Sequence, residues 1–230
     1  ETNNFDGVLG YVPSTDDKQK GYFTGYVNIS LRNIFGTGRG ASIKWQQIDR
    51  HSQEFDLKYL EPWVFGYPFN INLGLYQRKQ DTSYVQRKFD LSLDYLATED
   101  ISASLLLSTQ STIPTESEYS KFTVYNSTAL QTGVSFSMDT RDDIYAPREG
   151  IYFVTSYKFS SKKINGPAKY ITESTIKKIE LQKYEFEFNY FYEVWNRQIL
   201  SLRLNAKEMR GDLFEVSDLF ELGGTNSLRG

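Results

Sequence analysis

The chain has 230 residues, 26 Lys+Arg against 29 Asp+Glu, a net charge of -3 and no Cys. Near-balanced charge gives no nucleic-acid footprint, and the lack of Cys removes disulfides and thiolate metal sites. The longest unbroken apolar run, Ile151-Tyr152-Phe153-Val154, falls far short of the roughly 18 residues a spanning helix needs. Transmembrane strands stay open, because their lumen-facing residues are polar and lower the mean hydropathy, here -0.51. With 17 Tyr, 16 Phe and 3 Trp, the apolar content is aromatic more than aliphatic. The chain begins at Glu1 with neither Met nor signal peptide, which reads as a processed chain or a piece of one.

Period-two alternation recurs along the chain and predicts about eleven strands. The first run, near 4–12, sets Gly7 and Gly10 among Phe5, Leu9 and Tyr11 and is ended by Pro13. Glycines bring no side chain to a cross-strand pair, so this strand is predicted to pair weakly. A run near 21–33 leads through the compact turn Asn33-Ile34-Phe35-Gly36-Thr37-Gly38 into one near 39–49. Runs near 53–61 and 69–79 flank Glu61-Pro62-Trp63 to Pro68, and in the second Phe69, Ile71, Leu73 and Leu75 oppose Asn70 and Asn72. Runs near 84–95 and 100–110 meet through 97–99. Near 127–139, Leu130, Val134, Phe136 and Met138 oppose Gln131, Ser135, Ser137 and Asp139. A turn carrying Asp139, Arg141, Pro147 and Gly150 opens the next run, near 150–160. Near 176–192, Tyr184, Phe186, Phe188, Tyr190 and Tyr192 share one face, with Lys183, Glu185, Glu187 and Asn189 on the other. Near 198–208, Leu200, Leu202, Leu204 and Ala206 oppose Ser201, Arg203, Asn205 and Lys207. All the prolines (Pro13, Pro62, Pro68, Pro114, Pro147, Pro167) fall at or between run ends, as ladder hydrogen bonding demands.

One set of connections is compact, whereas 111–126, 161–175 and 209 onward are longer and polar. Short turns on one side and long loops on the other, with a wet face of Asn, Ser, Gln and mixed charge, point to an all-β, antiparallel up-and-down transmembrane barrel. A soluble β-sandwich or ligand-binding barrel also alternates and is the competing class. Lys162, Lys163, Lys169, Lys177 and Lys178 gather around 161–175. An extracellular loop there would meet lipopolysaccharide phosphates, and the plainer reading is a solvated cluster.

Catalytic constellations are missing. His51 is the lone histidine and sits in a short connection without a supporting motif. Asp139, Asp142, Asp143 and Glu149 lack EF-hand spacing and read as turn chemistry. Gly36, Gly38 and Gly40 do not follow the dinucleotide spacing. No enzyme, metal or cofactor is expected.

The turns Asn33 to Gly38, Glu61-Pro62-Trp63 and Asp139-Thr140-Arg141 with Pro147 and Gly150, taken with Phe220-Glu221-Leu222-Gly223-Gly224-Thr225-Asn226-Ser227-Leu228-Arg229-Gly230, resemble in order and spacing the outer-membrane protein assembly factor family, the BamA-like bacterial surface antigen barrels. The resemblance runs from about residue 4 to Gly230. It implies a barrel of sixteen strands of which about eleven lie in this chain, so that 1–230 is the N-terminal part of the barrel domain, ending in a loop that enters the lumen. Periplasmic POTRA domains and the final strands are then absent from it. Gly223, Gly224, Leu228, Arg229 and Gly230 become the lumen-loop motif, with Arg229 pointing inward to acidic partners.

By the same resemblance the parent is an insertase of a Gram-negative outer membrane that offers the edge of its first strand, Phe5, Gly7, Leu9, Gly10 and Tyr11, to incoming strands by β-augmentation. Its partners would be unfolded outer-membrane proteins, outer-membrane lipid and lipopolysaccharide, and accessory lipoproteins reached through domains not present here, with no nucleic acid. A secretion translocator of the same family, a passive pore and a soluble β-barrel are the alternatives.

Overall fold

The computed structural model describes residues 3–14, 20–47, 49–80, 83–115, 124–144, 146–166, 171 and 176–220. They form one 11-stranded antiparallel sheet in which every strand pairs with its sequence neighbours, in the order β1 to β11. The strands are β1 Asn4–Val12, β2 Tyr22–Ile34, β3 Arg39–Gln47, β4 Gln53–Glu61, β5 Phe69–Gln80, β6 Tyr84–Leu96, β7 Ile101–Pro114, β8 Asn126–Asp139, β9 Gly150–Gly166, β10 Lys178–Trp195 and β11 Gln198–Gly211. The all-β, up-and-down architecture expected from alternation is therefore present. The expected long connections are shorter than the sequence suggests, because β7 runs on to Pro114, β9 to Gly166 and β11 to Gly211.

Register divides each strand between two faces. Lys158 on β9 lies opposite Lys183 on β10, and Glu185 on β10 lies opposite Lys207 on β11. The three strands thus share an inner face on which Lys158 Nζ reaches Glu185 Oε1 at 2.9 Å and Lys207 Nζ reaches Glu185 Oε2 at 3.5 Å. Further round, Lys88 pairs with Asp90 at 2.8 Å and Lys58 with Asp56 at 3.0 Å, again on the inner positions. The sheet curls about this face, because one cavity of about 500 Å³ is lined from Ser30 on β2 round to Lys158 on β9.

The outer positions form an apolar band. On β5 it comprises Phe69 to Leu75, on β6 Phe89 to Tyr95, on β8 Leu130 to Met138 and on β10 Tyr184 to Tyr192, taking alternate residues in each. Aromatic pairs tie neighbouring strands within it: Phe69–Tyr95, Phe153–Phe186 and Tyr157–Tyr184 have ring centroids 5.3, 5.5 and 5.0 Å apart. Eight residue steps of a strand span about 26 Å along its axis, which suits a tilted strand crossing a hydrocarbon layer.

The band lies flush with the end of the sheet that carries the compact turns 35–38, 62–68, 97–100, 140–149 and 196–197. At the other end the strands overshoot it, and the pattern inverts. There the outer positions are Thr109, Ser111, Ser161, Lys163, Glu180, Gln182, Glu208 and Arg210, while Ile164, Ile179 and Leu181 turn inward and are buried together. Along β9 and β10 the sheet that is apolar outside in the band becomes polar outside beyond it, with Ile164, Ile179 and Leu181 inside, while the neighbouring inward positions Gln110, Thr112, Ser127 and Gln131 are buried polar residues. The buried core sits in that projecting part, with Tyr125, Ile171 and Met209 packed against it.

Phe186 lies in the outward band and Glu187 faces inward. A charge at a lipid-facing midplane position costs about 2–4 kcal/mol, so Phe186→Arg is expected to impair membrane integration while Glu187→Arg is tolerated. A folding assay into bilayers, read by heat-modifiability, checks this; equal tolerance would contradict a lipid-facing band.

Candidate functional site

The features that can act on another molecule lie at the first edge of the sheet and on its inner face. β1 pairs with β2 in unbroken register, from Asn4 opposite Ser30 to Val12 opposite Tyr22, and its other edge meets no strand of this sheet. Phe5, Leu9 and Tyr11 point outward and Val8 inward, and all of them are exposed. Gly7 is set against β2 so closely that a Cβ would stand 3.0 Å from the Tyr26 carbonyl oxygen, whereas Gly10 has ordinary clearance. Tyr26 Oη donates to both oxygens of Asp6, at 3.3 and 3.1 Å. Pairing ends at Val12, just before Pro13. The result is a strand of nine residues paired to β2 on one side and standing first in the order of the sheet.

The second feature is a strap. After β11 the chain turns back across the inner face, and Val216–Asp218 forms a single 3-10 turn. Lys162, 1% exposed, makes salt bridges to both Glu215 and Asp218; its Nζ is 2.8 Å from Asp218 Oδ2. Glu215 Oε1 also accepts the Tyr125 backbone N–H at 2.7 Å, and the Glu215 N–H donates to Asp218 Oδ2 at 3.1 Å. Lys183 Nζ donates to the Asp218 carbonyl oxygen at 3.4 Å, and Gln86 Nε2 to that of Ser217 at 3.3 Å. Phe220 lies under Lys207 and Lys183, with ring centroid distances of 5.4 and 6.0 Å. The strap thus ties β6, β9, β10 and β11 together from inside. Burying the carboxylates is tolerable because the cationic Lys162 and the backbone N–H groups of Tyr125 and Glu215 meet them.

The compact turns are built by short polar contacts. Asn33 Oδ1 accepts the Gly38 N–H at 2.8 Å, and Asn70 Oδ1 accepts that of Trp63 at 3.1 Å. Arg39 grips Glu61 with Nε at 2.8 Å and Nη2 at 2.8 Å, and Tyr59 Oη donates to the same carboxylate at 2.5 Å. Arg141 grips Asp139 at 2.7 and 2.6 Å and lies 4.5 Å from the Tyr152 ring centroid. Gly150 has φ 108°, and a Cβ there would collide with the Thr140 carbonyl oxygen. Asp142 Oδ1 accepts the N–H groups of Arg148 and Glu149 at 2.8 and 3.2 Å, which holds its carboxyl below the usual carboxylate range. These acids serve turn geometry. Pro147 lies in the same turn, partly buried.

The sequence-derived sites are thus dispersed. The first strand stands at one edge and the turn residues at the end flush with the band, while Gly223, Gly224, Leu228, Arg229 and Gly230 lie outside the described residues. Of the clustered lysines, Lys162 is a buried strand residue, not a loop residue, while Lys163 and Lys178 are exposed and Lys169 is not described. Sequence reasoning missed Lys162, Glu215 and Asp218. The available signal was Glu215 and Asp218 three residues apart, one 3-10 turn, set among Leu213, Phe214, Val216, Leu219 and Phe220.

Residues 33–230 match the family model described as the Omp85 superfamily domain. Among solved structures, the chain is similar to BamA from Haemophilus ducreyi lacking POTRA domains 1–3. The TM-score is 0.55 and the identity 18%, over 100% of this chain and 46% of that one. The likeness at that identity concerns the fold, and this chain spans under half of that protein's length. No curated protein sequence matches.

Lys162→Met leaves Glu215 and Asp218 buried without their main counter-charge and is expected to lower the unfolding free energy by about 3–5 kcal/mol. Lys162→Met combined with Glu215→Gln and Asp218→Asn removes the mismatch and recovers part of that loss. Urea unfolding in detergent, followed by tryptophan fluorescence, measures both; an unchanged midpoint for Lys162→Met would mean that the strap carries no buried ion pair.

Proposed function

The chain belongs to the Omp85 superfamily, and from that premise we propose that it forms part of a Gram-negative outer-membrane β-barrel that inserts other outer-membrane proteins, without covalent chemistry. The substrates in this reading are unfolded outer-membrane proteins. The obstacle they face is that hydrocarbon leaves each unpaired backbone group several kcal/mol worse off. A strand edge presented at the membrane removes that cost by supplying partners as each new strand arrives.

The feature that supports the proposal is β1: nine residues, continuously paired to β2, with Gly7 and Gly10 among its ladder positions. Its outward positions carry Phe5, Leu9 and Tyr11, which suits an edge that works at lipid depth. Gly7 and Gly10 leave two positions without cross-strand side-chain contacts, so the seam between β1 and the strand that closes the full-length barrel opens at low cost. In the same reading Arg229, carried by the loop that follows the strap, is an inward pin that pairs with acidic residues on the remaining strands, and accessory lipoproteins and lipopolysaccharide are contacts of the whole protein.

Secretion through the lumen is the second reading, favoured by the polar inner groove that runs past Ser30, Ser42, Asn72 and Ser92. The two differ in what a locked seam does. A cysteine at Leu9 and one on the closing strand form a disulfide when their Cα atoms come within about 7 Å. Insertion at the edge predicts that the oxidised full-length protein stops assembling other outer-membrane proteins and that reduction restores it. Assembly at the normal rate with the bond formed would rule out opening at β1, and continued export of a secreted substrate would favour the lumen route.

A further inference from the structure

Two of the compact turns share one backbone. In Asn33-Ile34-Phe35-Gly36 and Trp63-Val64-Phe65-Gly66 the first and third residues are left-handed, with φ 53° and 55° in one and 49° and 55° in the other; the glycines follow at 72° and 77°. The same hydrogen bonds close each. Gly36 N–H donates to Asn33 O at 2.9 Å and Thr37 N–H to Ile34 O at 3.2 Å; Gly66 N–H donates to Trp63 O at 2.8 Å and Tyr67 N–H to Val64 O at 3.1 Å. Bulky side chains rarely adopt this region. Both turns nevertheless put phenylalanine there and hold it out of the protein, Phe35 at 96% and Phe65 at 95% exposure. Trp63 and Tyr67 are also exposed. The turns stand against each other, since a Cβ on Gly38 would lie 3.3 Å from Pro62 Cγ.

What these side chains meet is indicated by what surrounds them. The outward band reaches this end of the sheet through Ala41 and Ile43 on β3, Leu57 and Tyr59 on β4 and Phe69 on β5, so the turns continue an apolar surface. The rim charges between them, Arg39 and Glu61, are on the same outward face and neutralise each other through the bidentate contact, with Tyr59 donating to it. The Arg39–Glu61 pair thus carries no net charge between the turns, and an aromatic pair at the edge of an apolar band lies where such side chains settle in a bilayer. The hydrogen-bonded turns fix the backbone that carries the two rings before anything is met, which lowers the ordering cost of contact.

We propose that Phe35 and Phe65 are paired prongs that seat this end of the barrel in the boundary between headgroups and acyl chains of the adjoining leaflet. The occupant is the lipid surface. The proposal rests on the membrane-barrel reading above, so its test carries a separate control for that reading.

Single cysteines replace Phe35, Phe65, Leu93 in the outward band of β6, and Glu99 in the exposed β6–β7 turn, in the full-length protein with any other cysteine removed. Each is spin-labelled and reconstituted in phosphatidylcholine bilayers. Collision with oxygen, which concentrates in lipid, is compared with collision with a water-soluble nickel chelate. The expected oxygen-to-nickel ratio at Phe35→Cys and Phe65→Cys is at least about twofold that at Glu99→Cys, and below that at Leu93→Cys, as for a boundary position. A ratio at either prong no higher than at Glu99→Cys, with Leu93→Cys lipid-like, overturns the prongs and leaves the barrel reading standing. Exclusion of both reagents at the prongs would mean that protein covers them, which also overturns the lipid assignment. A water-like Leu93→Cys overturns the barrel reading itself, and the prongs with it.

Discussion

A peptide group inside hydrocarbon finds no water, so every strand that enters a bilayer must bring its partners with it. The ladder from β1 to β11 meets this demand without interruption across the band, each strand satisfied by its sequence neighbours. The demand is displaced to the two edges. β1 and β11 each have one neighbour within this sheet, and their apolar side chains are among the most exposed of the strand residues. Closure with further strands satisfies such edges in a barrel; an exchangeable closure would turn the same requirement into a binding principle.

The inversion of hydropathy along β9 and β10 shows where that demand stops applying. Within the band, Phe186 and Phe188 face out while Glu185 and Glu187 face in. Past it, Glu180 and Gln182 face out while Ile179 and Leu181 close on a core. The strands are therefore two materials joined end to end, one patterned for lipid and one for water. The strap belongs to the second. Its carboxylates contact Lys162 in rows beyond the apolar outer positions, where the chain can build a compact interior of ordinary kind.

Alternation made most of the fold legible, because a period of two is a direct consequence of strand geometry and prolines marked the breaks. Strand ends were less legible where the pattern inverted. The stretch Ser160 to Gly166 no longer alternates apolar against polar in the membrane sense, so it reads as polar loop, yet it is ladder throughout. Lys162 was hidden for a related reason: a lysine among lysines reads as solvated, and its burial depends on a segment more than fifty residues away folding over it, the separation to Asp218 being 56. The recurrence of an aliphatic residue, Phe and Gly in two turns was present in the sequence. Its significance depends on backbone angles that residue identity alone does not give, since Asn33 and Trp63 hold the same conformation with unlike side chains.

The buried cluster also adds a second connection to the ladder. Lys162 lies on β9 while Glu215 and Asp218 follow β11, so their ion pairs hold the end of β11 to β9 by a route that bypasses the backbone hydrogen bonds. Peeling β11 from β10 must therefore break buried ion pairs as well as strand pairing, and the entropy cost of closing the excursion from Lys162 to Asp218 grows only slowly with its length.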